Sequence, residues 1–217
     1  GALIWIAENW SRQRSELKGR GVAQWNDWFR EDVKAYLARA ERRDSIPQRI
    51  AGSPDRNAYD TPLETLNYTD SHDEETLAAG LAAAGWSGPE LTARARMGLV
   101  LLLTSQGVPM LWEGQEWLRK NPAQVLDYAG NVVAWDRVQS NRASVAFCRQ
   151  LIALRRKFPA LRAPRYERAD YYTWLLPGNS AALGYVINAN RRYADQPRFA
   201  IVMNPGRTAA AMKRVLT

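Results

Sequence analysis

Four short apolar runs divide the first 160 residues, and each leads into a polar segment. They are Leu3-Ile4-Trp5-Ile6-Ala7, Val22-Ala23-Gln24-Trp25, Leu66-Asn67-Tyr68-Thr69 and Val108-Pro109-Met110-Leu111-Trp112. Each has the length of a strand. Between them the apolar residues recur at helical steps. Phe29, Val33, Tyr36 or Leu37 and Ala40 form one such series, with Asn26 or Asp27 as its cap. Ser87-Gly88-Pro89-Glu90 opens a longer helix that reaches about Ser105 and contains the buried apolar stretch 97–103. Val145, Cys148, Leu151-Ile152 and Arg155 mark a third helix, capped by Ser140 or Asn141 and stopped by Pro159. Residues 46–62 are rich in Pro, Gly, Asp and Asn and read as a loop. Strands that alternate with helices form a parallel sheet. Four such strands are half of an eight-stranded barrel and leave two open edges, which native proteins avoid.

Beyond about Ala163 the pattern changes. Residues 171–175, 182–187 and 199–203 are short β runs separated by turn residues, as in antiparallel sheet. Two units follow from this shift, residues 1–162 and residues 163–217.

The composition excludes several classes. The longest apolar run is far shorter than the roughly 18 residues that cross a bilayer, so no membrane partner is expected. No signal peptide opens these residues, and the compartment is left open. The single cysteine, Cys148, allows no internal disulfide and reads as a small buried hydrophobe. The net charge of +8 raises nucleic-acid binding. The basic residues are scattered rather than clustered, so a solvated arginine-rich surface is the better account and no nucleic-acid partner is expected.

The chemistry-bearing residues stand just after the strand runs. His72, the only histidine, adjoins Asp73 in Thr69-Asp70-Ser71-His72-Asp73-Glu74-Glu75. One histidine cannot make a multi-histidine metal site, but it can donate a hydrogen bond beside a carboxylate. Glu8 ends the first run in the same way. Acids at the C-terminal ends of parallel strands occupy the position where β/α folds carry their chemistry. A pair of carboxylates is the equipment for acid/base work on a sugar.

The segment Asn67-Tyr68-Thr69-Asp70-Ser71-His72-Asp73, followed by Glu75-Thr76-Leu77, resembles the histidine–aspartate motif of the α-amylase superfamily, in its pullulanase and isoamylase branch. Ile4-Trp5-Ile6-Ala7-Glu8-Asn9-Trp10 is similar to that family's fifth-strand motif, which ends in the acid/base glutamate. Trp25-Asn26-Asp27-Trp28-Phe29-Arg30-Glu31-Asp32-Val33 resembles its sixth-strand segment, and 107–116 its eighth. The four matches come in family order over residues 3–137. Glu74 stands where the family usually has asparagine.

The resemblance implies the second half of a (β/α)8 TIM barrel followed by part of an antiparallel β-sandwich domain. It implies catalytic roles for Glu8, as acid then base, and for Asp73, as the group that holds the sugar and stabilises an oxocarbenium-like state. His72 and Trp10 would bind substrate. Glu8 must be protonated for its first step, which calls for burial or a neighbouring carboxylate. The family's nucleophilic aspartate lies upstream of the glutamate, and residues 1–7 hold none. The expectation is a fragment of a retaining glycosidase that debranches α-glucans at α-1,6 bonds, inactive alone, with the missing N-terminal half of the barrel and an α-glucan oligo- or polysaccharide as partners. No cofactor is implied; family members sometimes bind calcium, for which no ligands can be placed here. An α-1,4 specificity, a transglycosylase and a non-catalytic α-glucan-binding module are the alternatives. Asp27 and Arg30 read as a structural ion pair or cap, Gln115 and Glu116 as packing residues near the strand end, and Trp112 as a second candidate for lining a sugar groove.

Overall fold

The computed structural model describes residues 3–9, 14–55, 57–120, 132–178 and 180–209. Two sheets organise them. Strands β1 (Trp5–Ala7), β2 (Val22–Asn26), β3 (Thr65–Asn67) and β4 (Val108–Pro109) form a parallel sheet in the order β1-β2-β3-β4. Helices fill the crossovers. A short α1 (Arg14–Leu17) lies between β1 and β2. Then α2 (Asp27–Arg39) and α3 (Ile46–Ile50) lie between β2 and β3, and α4 (Leu77–Ala83) and α5 (Gly88–Thr104) between β3 and β4. The chain continues through α6 (Arg137–Ser140) and α7 (Arg142–Lys157) into an antiparallel sheet, β5 (Tyr172–Leu175), β6 (Leu183–Ile187) and β7 (Phe199–Met203), paired in that order.

The parallel sheet has two unlike faces because its side chains alternate. Ala23, Trp25, Leu66 and Tyr68 make one apolar face, joined by Val108 and Met110. The other face is polar and buried. Asn26 donates to the Ser53 hydroxyl (2.9 Å) and to Oδ1 of Asn67 (2.8 Å), while Asn67 donates to the Gln106 carbonyl (2.8 Å). Each amide at these buried positions thus finds a partner. The same Asn26 caps α2, its Oδ1 accepting from the Phe29 amide.

The large core lies outside the parallel sheet. Phe29, Val33, Tyr36 and Leu37 of α2, Leu77 and Leu81 of α4, and Leu101 and Leu102 of α5 pack with Tyr172, Leu183, Tyr185 and Ile187 of the antiparallel sheet. Polar bonds cross the same contact. Tyr36 donates its hydroxyl hydrogen to the Ala181 carbonyl (2.9 Å), and the hydroxyls of Thr104 and Tyr185 share a hydrogen bond at 2.7 Å. Cys148 is buried against Leu99 and Leu103, and burial pushes its thiol up to about 11, as suits an inert apolar residue.

Several elements differ from the sequence expectations. Residues 46–62 are not one loop. Pro47 falls in the first turn of α3, where its missing N–H costs nothing, and Ile46 and Ile50 bury one helical face. The fourth strand spans only two residues, because Pro109 cannot donate to the ladder. One further bond, from the Met110 amide to the Asn67 carbonyl (2.8 Å), extends the pairing before the chain turns at Gly114. Asn141 stands at the start of α7 without capping it, since its amide donates back to the Arg137 carbonyl. Asp27 and Arg30 do not pair with each other. Asp27 pairs with Arg14, and Arg30 with Glu31 and Glu74.

Arg155 ties these layers together. It is 7% exposed and donates to the carbonyls of Leu103 (3.0 Å), Ser105 (2.7 Å), Leu161 (2.6 Å) and Gly107 (2.6 Å). Two of these acceptors end α5, one leads into β4 and one belongs to the turn that enters the second sheet. Burial lowers its guanidinium to about 10, so it stays charged at neutral pH. Replacing Arg155 with Met keeps the volume and leaves four buried carbonyls without a donor. Urea unfolding of Arg155→Met is expected to show a loss of at least about 3 kcal/mol, the scale of a broken buried charge network. A loss below about 1 kcal/mol would mean water replaces the guanidinium.

Candidate active site at the strand ends

Glu8 and the His72-Asp73 pair meet the sheet at the same end. All four strands are parallel, so residues just after β1 and just after β3 lie at one rim. Strands β1 and β3 are separated by β2 alone, which sets their backbones roughly 10 Å apart. The register also fixes the face. Ala7 pairs with Gln24 and Gln24 with Thr65, so these three share the polar face. Asn9, two residues on, donates to Oε1 of Gln24 (3.0 Å), which keeps it on that side. His72 lies against the opposite face. Its ring lies edge-on to Trp25, with centroids 6.2 Å apart, and Trp25 is in turn edge-on to Tyr68 at 5.0 Å. Thus Glu8 and His72-Asp73 follow strands that end at one rim, and the aromatic contacts set His72 against the sheet face that carries Trp25.

His72 and Asp73 are bonded to each other, Nε2 to Oδ1 at 2.8 Å. The imidazole is largely exposed, and the carboxylate is partly sheltered. Asp73 does not cap the helix that follows. Thr76 does so, its hydroxyl accepting from the Ala79 amide (3.2 Å), and Asp70 takes the Leu77 amide (2.6 Å). This division leaves the Asp73 carboxylate to His72. Glu8 is exposed, so the described residues around it do not supply the burial that its acid role calls for. Trp10 lies outside the described residues. Trp112 is half-buried and carries the Arg119 guanidinium 4.5 Å from its ring centroid. Gln115 is buried and donates to the Thr69 hydroxyl (2.7 Å) beneath the rim, while Glu116 folds back to the Gly114 amide (3.1 Å). Among the described residues no three His, Cys, Asp or Glu side chains gather closely enough to hold a metal ion.

Three residues around the pair were not singled out for this role from sequence. Arg30 donates to the Tyr68 hydroxyl (3.2 Å) and pairs with Glu74; Lys34, one turn on, donates to the Glu75 carbonyl. Their four-residue spacing on α2 places both toward the 70–77 segment, and that spacing was the available signal. Asp70 is the third. It is fully buried, and burial holds its carboxyl up at about 6, against the positive charge of Lys34 and its hydrogen bonds, which pull it down. Lys34 is itself pulled down by burial.

The weakened acidity of Asp70 has a direct consequence. The folded chain holds the Asp70 proton more tightly than the unfolded chain does, so its stabilising contribution is complete below about pH 4 and is lost as pH rises through about 6. The loss amounts to about 3 kcal/mol at most. Asp70→Asn has no such titration. Denaturant melts of the two proteins are expected to converge or cross as pH rises from 4 to 6, and to keep a constant offset above that. A constant offset across the whole range would show that Asp70 titrates as a solvated acid.

Parallel strands joined by helical crossovers, with acidic residues and a histidine following their C-terminal ends, make a β/α-type scaffold. Comparisons with known proteins sharpen this. No protein-family model matches the chain. A pullulanase of Bacillus subtilis (strain 168) is 29% identical over 162 residues, covering 65% of this chain and 23% of its own length. An isoamylase of a Flavobacterium species is 29% identical over 204 residues, covering 76% of this chain and 26% of the relative. The crystal structure of a pullulanase from Anoxybacillus sp. LM18-11, complexed with maltotetraose, superposes with a TM-score of 0.82 at 22% identity, over 94% of this chain and 33% of that one. The chain is a relative of the pullulanase and isoamylase debranching enzymes of the α-amylase superfamily, and it spans about a quarter of the length of these curated relatives.

Proposed function

We propose that these residues form the second half of a (β/α)8 barrel, residues 1–162, with residues 163–217 contributing part of a β-sandwich domain, in a retaining glycosidase that debranches α-glucans. One observation carries this reading. Glu8 follows β1 and His72-Asp73 follow β3 at the same end of a parallel sheet, and His72 is bonded to Asp73. The relatives support it, since among them are proteins named pullulanase, isoamylase and glycogen debranching enzyme.

Each residue then has a task. Glu8 protonates the departing glycosidic oxygen, the glycosyl unit passes to a carboxylate nucleophile, and Glu8 deprotonates the water that releases it. Asp73 accepts hydrogen bonds from the ring hydroxyls and faces the positive charge that develops on the sugar. His72 donates to the same ring, and Trp10 and Trp112 offer apolar surfaces to neighbouring units. The nucleophile is supplied from outside the 217 residues, on a strand that pairs with the free edge of β1. That edge carries Ile4, Trp5 and Ile6 at 64%, 68% and 54% exposure, the kind of apolar strand that a neighbouring strand covers. The bond attacked is the α-1,6 linkage, and water is the acceptor. The same site would transfer the glycosyl unit to a second sugar if that sugar reached Glu8 first.

The chain alone is expected to release no reducing ends from pullulan above background. Fused behind the first half-barrel of a related pullulanase it is expected to hydrolyse pullulan, and Glu8→Gln is expected to lower kcat by about 10² to 10⁴. Turnover by the isolated chain that is lost in Glu8→Gln would place the nucleophile within these residues. A fusion whose activity ignores Glu8→Gln would remove Glu8 from the chemistry.

A further inference from the structure

The segment that presents His72 and Asp73 is held from behind by groups to which the proposed chemistry gives no task. Asp70 is 2% exposed, and its Oδ1 accepts the Leu77 amide hydrogen at 2.6 Å. That bond spans seven residues and closes residues 71–76 into a loop in which His72 is exposed and Asp73 half-buried. The cap of α4 does not depend on it, since Thr76 already takes the Ala79 amide. The bond to Leu77 instead fixes where the returning chain starts its helix, and so where the loop begins and ends. Lys34, from α2, steadies the far side through the Glu75 carbonyl.

We propose that Asp70 is the positioning residue of the His72-Asp73 loop: its buried carboxyl, through the Leu77 amide, sets where Asp73 stands over the rim. The functional meaning of that position rests on the role proposed for Asp73, but the geometry is a separate matter and is tested separately. The groups that face Asp70 are Lys34 from α2, the Leu77 amide from α4 and Thr69 from the end of β3; Glu74, Glu75 and Arg30 surround Lys34 in turn. An acceptor oxygen, rather than a charge, is what the Leu77 amide needs. Asparagine supplies one and alanine does not.

The test compares Asp70→Ala and Asp70→Asn in the 217-residue chain by amide hydrogen exchange and by the NMR signal of the single imidazole, His72. Asp70→Ala is expected to speed exchange across residues 71–77 by about tenfold or more, to leave the amides of α2 and α5 unchanged, and to displace the His72 signal. Asp70→Asn is expected to restore both to near the wild-type state. The proposal is overturned if Asp70→Ala leaves the loop within about twofold of wild type, if it speeds α2 and α5 equally, or if Asp70→Asn is as loose as Asp70→Ala. Should Asp70→Ala fail to fold, Asp70→Ser takes its place, because its hydroxyl is one bond too short to reach the Leu77 amide. It is expected to speed exchange across residues 71–77 by about tenfold or more relative to Asp70→Asn, and a serine variant within about twofold of Asp70→Asn overturns the proposal. None of these readouts measures sugar chemistry, so an inactive fusion would count against the glycosidase reading and leave this one standing.

Discussion

One buried guanidinium joins what would otherwise be separate layers. The last carbonyls of α5 have no partner within the helix. The carbonyls that lead into β4 and out of α7 turn away from any ladder. Arg155 collects donors for all of them at a single point. Lysine has one compact cationic group and could not spread its hydrogens in a planar fork over so many acceptors. Gln106 repeats the arrangement nearby, donating to the Ala160 carbonyl and accepting from the Ala163 amide. The second sheet is thereby tied to the end of the first by polar bonds, and to the helices by the shared apolar core.

The rim inherits its precision from that framework. Helix α2 has two duties. Phe29, Val33, Tyr36 and Leu37 anchor it in the core, while Arg30 and Lys34 reach out to the loop between β3 and α4. Because packing in the core fixes the helix, the two cations act from a rigid base. The loop is in this sense supported by secondary structure, although its own residues are irregular. Such support is what the role proposed for Asp73 would require, since small displacements of a reacting group are costly.

Much of the fold was legible in the sequence because its signals are local. Alternating periods marked strands and helices, Asn26 marked the start of α2, and Pro159 marked the end of α7. The strand-end positions of Glu8 and Asp73 followed from polarity alone. What could not be read were features decided by distant partners. The brevity of β4 depends on how far Pro109 can pair with Asn67. The separation of Asp27 from Arg30 depends on Arg14 and Glu74, which are 13 and 44 residues away from them. The role of Asp70 is hidden for the same reason. A polar loop in the sequence hides a carboxyl that is buried only once α2 and α4 close over it.

The apolar first strand has a practical meaning for anyone handling the chain. Trp5, Ile6 and Ala7 pair with β2 on one side only among the described residues, which leaves the other edge of the strand open. Such an edge accepts any extended peptide of matching spacing. Self-recognition by this strand, more than loss of internal order, is what would govern solubility during expression and concentration. A charged residue or a proline introduced on the outer side of β1 would blunt that tendency without touching the helices or the second sheet.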